Sequence, residues 1–275
     1  MARRLQQAGH TVHAWNRTQS KADPLAALGI AVHATVAEAV RQADIVVSLL
    51  ENGPAVEHVL FHADAAQAMR PGTLFIDMAS IQPREARDHA ARLGEMGLAH
   101  LDAPVSGGTV GAENGTLAIM AGGRAEDFAR AQPVFAALGR ATHVGPHGSG
   151  QLAKLANQMI VGITIGAVAE ALLFAAKGGA DMAKVREAIQ GGFADSRILQ
   201  LHGQRMVDRD FAPKARMGVQ LKDMRNALGT AKEIGFDAPV TTLFEALYAE
   251  GVEHGLGELD HSGLFVELAS RNAMQ

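Results

Sequence analysis

Lys154 and Asn157 stand three residues apart in "GSGQLAKLANQM". On a helix, that spacing puts both side chains on one face. A lysine at a helix start that faces a cleft can be desolvated, which lowers its pKa toward a range useful for proton transfer. On its own, a lysine in such a pair is more often an ordinary exposed surface residue. In "LDAPVSGGTVGAENGTLAIMAGG", Ser106 is followed by Gly107 and Gly108. Paired glycines let backbone N–H groups converge on an anion; a glycine-rich hairpin or loop without a ligand is the alternative. "HAWNRT" follows the first β-rich run, where a dinucleotide fold reads the ribose. A carboxylate there would repel a 2′-phosphate. Asn16 is neutral, Arg17 can fork onto a phosphate and Thr18 adds a hydroxyl, so this turn favours NADP(H) over NAD(H). The other reading is an ordinary solvated turn. Lys222 and Asp223 in "VQLKDM" read alone as a charged helix face.

Two further patterns carry less. "GSGQLA" (148–153) fits a loose G-x-G-x-x-A phosphate loop, and Glu170 lies twenty residues beyond Gly150. The acid of that motif should end a second strand, but Glu170 falls inside a helical run, so the glycines read as a helix entry. His58 and His62 are four apart, a spacing that can hold a metal. No third ligand is near in sequence, so they read as an exposed pair and no metal site is expected.

The elements that must position these residues are legible as two blocks. From Thr11 to Gly145, β-rich runs ("TVHAW", "IAVHA", "DIVVSLL", "TLFIDMA", "AHLDAPV", "LAIMAGG", "ATHVG") alternate with helical patterns such as "TVAEAVRQA" and "QPREARDHAARLGEMG". Several runs are continuously apolar, as buried parallel strands are. The expectation is an α/β, doubly wound parallel sheet over residues 1–147. After Gly150 only helices are expected: 151–178, 181–190, about 195–208, 216–235, 239–251 and 261–271. Residues 148–275 would form an all-helical domain, leaving a cleft for ligands between the two.

Composition narrows the class. The 275 residues carry a net charge of −4 and no long basic run, which argues against a general nucleic-acid or membrane-surface role. Cysteine is absent, which removes disulfides and thiolate metal sites. No signal peptide is read at the start, so the expected location is cytoplasmic. "MIVGITIGAVAEALLFAA" (159–176) is long enough to span a bilayer, but Glu170 interrupts it and aromatic flanks are missing. It reads as a buried helix in which Gly162 and Gly166 let a neighbouring helix come close, within the domain or across a dimer.

Together, "DAPVSGG" with "NGTL", "GSGQLAKLANQ" and "LKDM" resemble, in order, the substrate signature, catalytic helix and cofactor-contacting lysine of the β-hydroxyacid dehydrogenase family. The family includes 3-hydroxyisobutyrate dehydrogenases and tartronate semialdehyde (2-hydroxy-3-oxopropionate) reductases. The resemblance runs from Met1 to about residue 270. It implies hydride transfer between a nicotinamide cofactor, NADP with NAD possible, and a small carboxylic-acid substrate. Lys154 would be the acid/base and Asn157 would orient substrate or lysine. Ser106, Gly107 and Gly108 would hold the carboxylate. Leu50, Ser80 and Lys222 would line the cofactor, and the protein would form a homodimer or homotetramer. "NQMIVGITIGAVAEALLFAAKGGAD" and "GGFADS" look most like the tartronate semialdehyde branch, with 3-hydroxyisobutyrate the alternative substrate. The presence of Lys154 argues against imine reduction; a non-catalytic oligomeric homologue is the reading from another class. Glu51 stands where the family usually has proline.

The family pattern opens about fourteen residues before the position of Met1, with a strand and a G-x-G-x-M-G turn. That strand would lie between "TVHAW" and "DIVVSLL", so those two runs should not pair with each other. The same turn supplies backbone amides for the pyrophosphate. The chain starting at Met1 is therefore expected to bind dinucleotide weakly and a chain extended upstream to bind it well. Titration of both with NADPH checks this; equal affinity would contradict it.

Overall fold

The computed structural model describes residues 1–274. They form two compact units, residues 1–154 and 155–274. The first unit runs α1 (Ala2–Gln7), β1 (His13–Ala14), β2 (Ala31–Val32), α2 (Val36–Val40), β3 (Ile45–Ser48), α3 (Gly53–Glu57), α4 (Ala65–Ala68), β4 (Leu74–Asp77), α5 (Pro83–Glu95), β5 (Ala99–Asp102), β6 (Val105–Ser106), α6 (Gly108–Asn114), β7 (Leu117–Gly123), α7 (Ala125–Leu138) and β8 (Gly139–Gly145). Helix α8 (Ser149–Lys177) starts in this unit and continues through the second.

Local chemistry sets the helix starts. Thr35 and Glu38 close a reciprocal capping box on α2, and Asn52 caps α3 with Pro54 in its first turn. On α5 the Glu85 carboxylate accepts the Gln82 N–H at 2.7 Å, again with a proline, Pro83, in the first turn. A side-chain oxygen at such a position satisfies an N–H that the helix itself leaves unpaired.

The main sheet has the order β3-β4-β5-β7-β6, with β8 beside β7. It is parallel across β3, β4 and β5. It is not parallel throughout, as the sequence suggested: β7 runs antiparallel to both β5 and β6. The chain turns back through α6 instead of crossing over to the far edge. Strand β4 alternates between two buried faces. Phe75 joins one apolar cluster with Val56, Leu60 and Leu93. Leu74 and Ile76 join another with Leu101, Ile119 and Phe135. A strand covered on both faces reads as an unbroken apolar run, which made β4 visible in the sequence; β7 is equally apolar, with Ala118 and Met120 half-buried on its second face.

Strand β1 pairs in parallel with β2, as a separate two-stranded sheet. Among the described residues no strand pairing joins β1 to β3, as expected for "TVHAW" and "DIVVSLL". Both small strands are shorter than their apolar runs. Next to them the rings of His13 and His33 stack, with Nδ1 and Nε2 2.8 Å apart.

The second unit is helical: the rest of α8, then α9 (Met182–Ile189), α10 (Arg197–Asp208), α11 (Met217–Glu233), α12 (Pro239–Gly251) and α13 (Leu264–Arg271). Ile165, Leu172, Met206, Met224, Tyr248 and Phe265 are among its core residues. A Cβ on Gly162 would lie 2.6 Å from Gln220 Nε2 on α11. One on Gly166 would collide with the Phe244 ring on α12. Both glycines thus admit a close helix neighbour inside the unit. The expected buried helix is buried on one side only: Ile160 and Phe174 are 67% and 81% exposed.

Asp77 and Asp102 end neighbouring parallel strands in register, and neither is exposed to solvent. Burial pushes the Asp77 carboxyl up to about 7; the Ala79 N–H bond opposes this, while the charges of Asp102 and Glu85 add to it. A buried acid raised in this way binds a proton more tightly folded than unfolded. Its contribution to stability therefore falls as pH rises from the ordinary carboxylate range to about 7, and stays low above that. Asp77→Asn should abolish this slope, because an amide takes up no proton in this range, and it breaks no hydrogen bond at Oδ2, which has no partner. Above about pH 8 the variant should be more stable than the parent, by at most about 4 kcal/mol. Thermal unfolding at several pH values checks this; a parent that gains stability relative to the variant on going from acid to neutral pH would contradict it.

Candidate active site

The site is built on the C-terminal ends of β4 and β5, where a doubly wound sheet binds ligands. Segment 102–108 leaves β5, forms β6 and turns into α6. The stretch read from sequence as a glycine-rich loop is therefore a short strand followed by a seven-residue helix. Gly107 and Gly108 have φ of +134° and +64°, backbone that side-chain-bearing residues rarely adopt. Leu117 Cδ2 would lie 3.2 Å from a Cβ on Gly107, so both torsion and space select glycine there. Ser106 is half-buried and pairs with Ala118 through the backbone.

Lys154 is half-buried on α8, and its Nζ donates to the Val105 carbonyl at 2.9 Å. The amine thus meets β6 at the residue before Ser106. Lysine and serine signature, 48 residues apart in sequence, are brought to one place. The entry to α8 explains the decoy glycines: Gly148 sits at φ +86°, and helix begins at Ser149.

Asn157 lies on α8 one turn after Lys154, and its Nδ2 donates to Gln158 Oε1 at 2.9 Å. Gln158 Nε2 in turn donates to Asp223 Oδ2 at 2.7 Å. Asp223 Oδ1 lies 3.0 Å from Lys222 Nζ. Asn157 and Lys222, read from sequence as facing different ligands, are thereby joined through a buried carboxylate. Gln158 and Asp223 carry this link, and sequence reasoning missed Gln158.

Asn16, Arg17 and Thr18 form the exposed loop after β1. Asn16 Oδ1 accepts the Thr18 N–H at 2.9 Å, a local turn that fixes the loop's shape. Arg17 has no hydrogen bond or ion pair among the described residues, which leaves its donors open to a phosphate. No carboxylate stands among these three residues, so the donor set fits a phosphorylated ribose. Leu50 follows β3, half-buried against the cluster around Val56. Ser80 follows β4, half-buried in the loop before α5. The structure places both at strand ends on the same sheet edge.

His58 and His62 stack on each other, ring centroids 5.9 Å apart, within a wide helical turn. Among the described residues, the one group able to share an ion is another, His202, Asp260 and His261. Its carboxylate already meets Arg205 Nη1 at 2.9 Å and accepts the Lys214, Ala215 and Ser262 N–H groups. Burial raises the Asp260 carboxyl, but hydrogen bonds from the His202 ring and the Ser262 hydroxyl, the charge of His261 and the Ala215 N–H together hold it well below the usual carboxylate range, and the cluster reads as a staple between α10 and the loop before α13.

Comparisons with known proteins give the family. Residues 1–145 match the profile of the NAD binding domain of 6-phosphogluconate dehydrogenase. Residues 148–268 match that described as NAD-binding of NADP-dependent 3-hydroxyisobutyrate dehydrogenase. The chain is 42% identical to 2-hydroxy-3-oxopropionate reductase of Escherichia coli (strain K12), over 96% of this chain and 91% of that one. It is similar to the solved 3-hydroxyisobutyrate dehydrogenase of Mycobacterium tuberculosis with L-serine: TM-score 0.89 and 32% identity over 97% of this chain and 94% of that one. For the crystal structure of 3-hydroxyisobutyrate dehydrogenase from Salmonella typhimurium the values are 0.88 and 28%, over 96% and 93%. A Rossmann-like unit, a helical unit, and similarity over 91% to 94% of the length of these enzymes establish that the chain belongs to the β-hydroxyacid dehydrogenase family of NAD(P)-dependent oxidoreductases.

Proposed function

We propose that the protein is a 2-hydroxy-3-oxopropionate (tartronate semialdehyde) reductase that uses NADPH, with NADH a weaker alternative. The observation that carries the reading is the 2.9 Å bond from Lys154 Nζ to Val105 O, which holds the amine beside the Ser106 signature. The identity to the Escherichia coli reductase supports the choice of substrate.

The substrate carboxylate would rest on Ser106 and the backbone of Gly107 and Gly108. Ser106 supports this, since its hydroxyl has no hydrogen-bond partner among the described residues. Lys154, released from Val105, would donate its proton to the aldehyde oxygen and accept it back in the oxidation direction. A bound nicotinamide supplies or takes the hydride. Arg17, Asn16 and Thr18 would hold the adenosine ribose phosphate. Leu50, Ser80 and Lys222 would line the rest of the cofactor, and Asn157 would orient Lys154 or the substrate. A homodimer or homotetramer in the cytoplasm belongs to the same reading; the exposed Ile160, Phe174, Leu201 and Leu243 of the helical unit support self-association.

A panel of tartronate, methylmalonate and succinate semialdehydes, assayed with NADPH and NADH, tests the assignment. Tartronate semialdehyde with NADPH should give the highest kcat/KM. Preference for methylmalonate semialdehyde by about tenfold, or about 1.4 kcal/mol, would make the protein a 3-hydroxyisobutyrate dehydrogenase.

Two substitutions test the residue roles. Lys154→Ala should cost about 10²–10⁴-fold in turnover while NADPH affinity stays near that of the parent. Arginine keeps the charge but releases no proton near neutral pH, so near-parental turnover in Lys154→Arg would overturn the acid/base role. Asn16→Asp combined with Arg17→Ser should shift the preference from NADPH toward NADH, read as the ratio of kcat/KM values. A parent enzyme that already prefers NADH would contradict the role given to Arg17.

A further inference from the structure

We propose that Asp102 is a positioning residue for Lys154: it holds the first turn of α8 against the end of β5, so that the lysine amine reaches β6. The inference builds on the role given to Lys154 above. Asp102 is wholly buried. Its Oδ1 accepts the Gly148 N–H at 2.8 Å and its Oδ2 the Gln151 N–H at 2.9 Å. Those two residues flank the start of α8. The helix is thus capped by a carboxylate from a strand 46 residues away, in place of the usual neighbouring side chain.

Lys154 lies three residues beyond Gln151, nearly one helical turn, so the cap fixes where its side chain begins. Its Nζ then returns to Val105, three residues beyond Asp102. Strand end and helix turn are therefore tied at both ends, by the carboxylate at one and the amine at the other. Two further contacts stiffen this closed arrangement. A Cβ on Gly150 would lie 2.3 Å from Asp102 O and 2.4 Å from Met120 O, so backbone meets backbone there without intervening side chains. Gln151 donates through Nε2 to Ala79 O at 2.8 Å and accepts the Ile81 N–H at 3.1 Å, which ties the same turn to the loop of Ser80.

Asp102→Asn keeps the volume, but only one of its two terminal atoms can accept, so one of the two N–H bonds is lost. Asp102→Ser, which can cap one N–H from a shorter stem, is the second variant should the asparagine fail to fold. The primary readout needs no turnover: competitive acetylation of Lys154 by acetic anhydride, read by mass spectrometry against Lys177 and Lys184 in the same molecule. Lys154 should label several-fold faster in the variant. In steady-state assays kcat should fall about 10–100-fold, with KM for NADPH within about twofold of the parent.

A residue that only stabilises the fold would lower the melting temperature and leave the relative labelling of Lys154 unchanged. That result, or kcat within about twofold of the parent, overturns the proposal. Should Lys154→Ala keep its turnover, the acid/base reading falls by itself, and the labelling comparison still decides whether Asp102 places the amine.

Discussion

Backbone packed directly on backbone, where α8 leaves the sheet, is the constraint on which the site depends. A Cβ on Gly122 would lie 2.6 Å from the Gly150 N, and one on Gly150 would run into the carbonyl oxygens of Asp102 and Met120. At such distances no side chain fits, so glycine is required on both β7 and α8. The close approach also buries N–H groups of the helix start, and a buried donor without an acceptor costs about 1–3 kcal/mol. The Asp102 carboxylate supplies two acceptors at that spot. Lys154 inherits its place from this arrangement, one turn further on.

Much of the fold was legible in the sequence because its central strands are buried on both faces. "TLFIDMA" and "LAIMAGG" could hardly be read otherwise, and the helical half announced itself by the loss of strand signal after Gly150. The antiparallel β7 was not legible, since pairing direction depends on the route of segment 103–116. That route turns on two positive-φ glycines and a short helix, where the sequence showed only a glycine-rich stretch. Strands β1 and β2 shrank to two residues each because only their centres meet in register.

The candidate site divides the same way. Spacing alone left Lys154 an ordinary surface lysine; the resemblance of three motifs singled it out, and the fold then showed its amine on β6. Asp102 and Gln151 stayed hidden although both lie inside those motifs. Their partners are 46 to 72 residues distant, and nothing local marks a carboxylate or an amide as the cap of a remote helix. Gln158 was hidden for a similar reason, because its link from Asn157 to Asp223 crosses from α8 to α11. The long apolar helix was read as wholly internal, yet apolarity all round it does not say which side the rest of its unit covers.

The facing pair of Asp77 and Asp102 has a thermodynamic consequence. In mildly acidic solution the folded unit holds a proton on Asp77 that the extended chain does not keep. Unfolding is then partly an acid dissociation, and the liberated proton is taken up by the buffer. The heat absorbed on melting accordingly contains the buffer's own protonation enthalpy, so phosphate and an amine buffer at equal pH report different unfolding enthalpies for the same molecule.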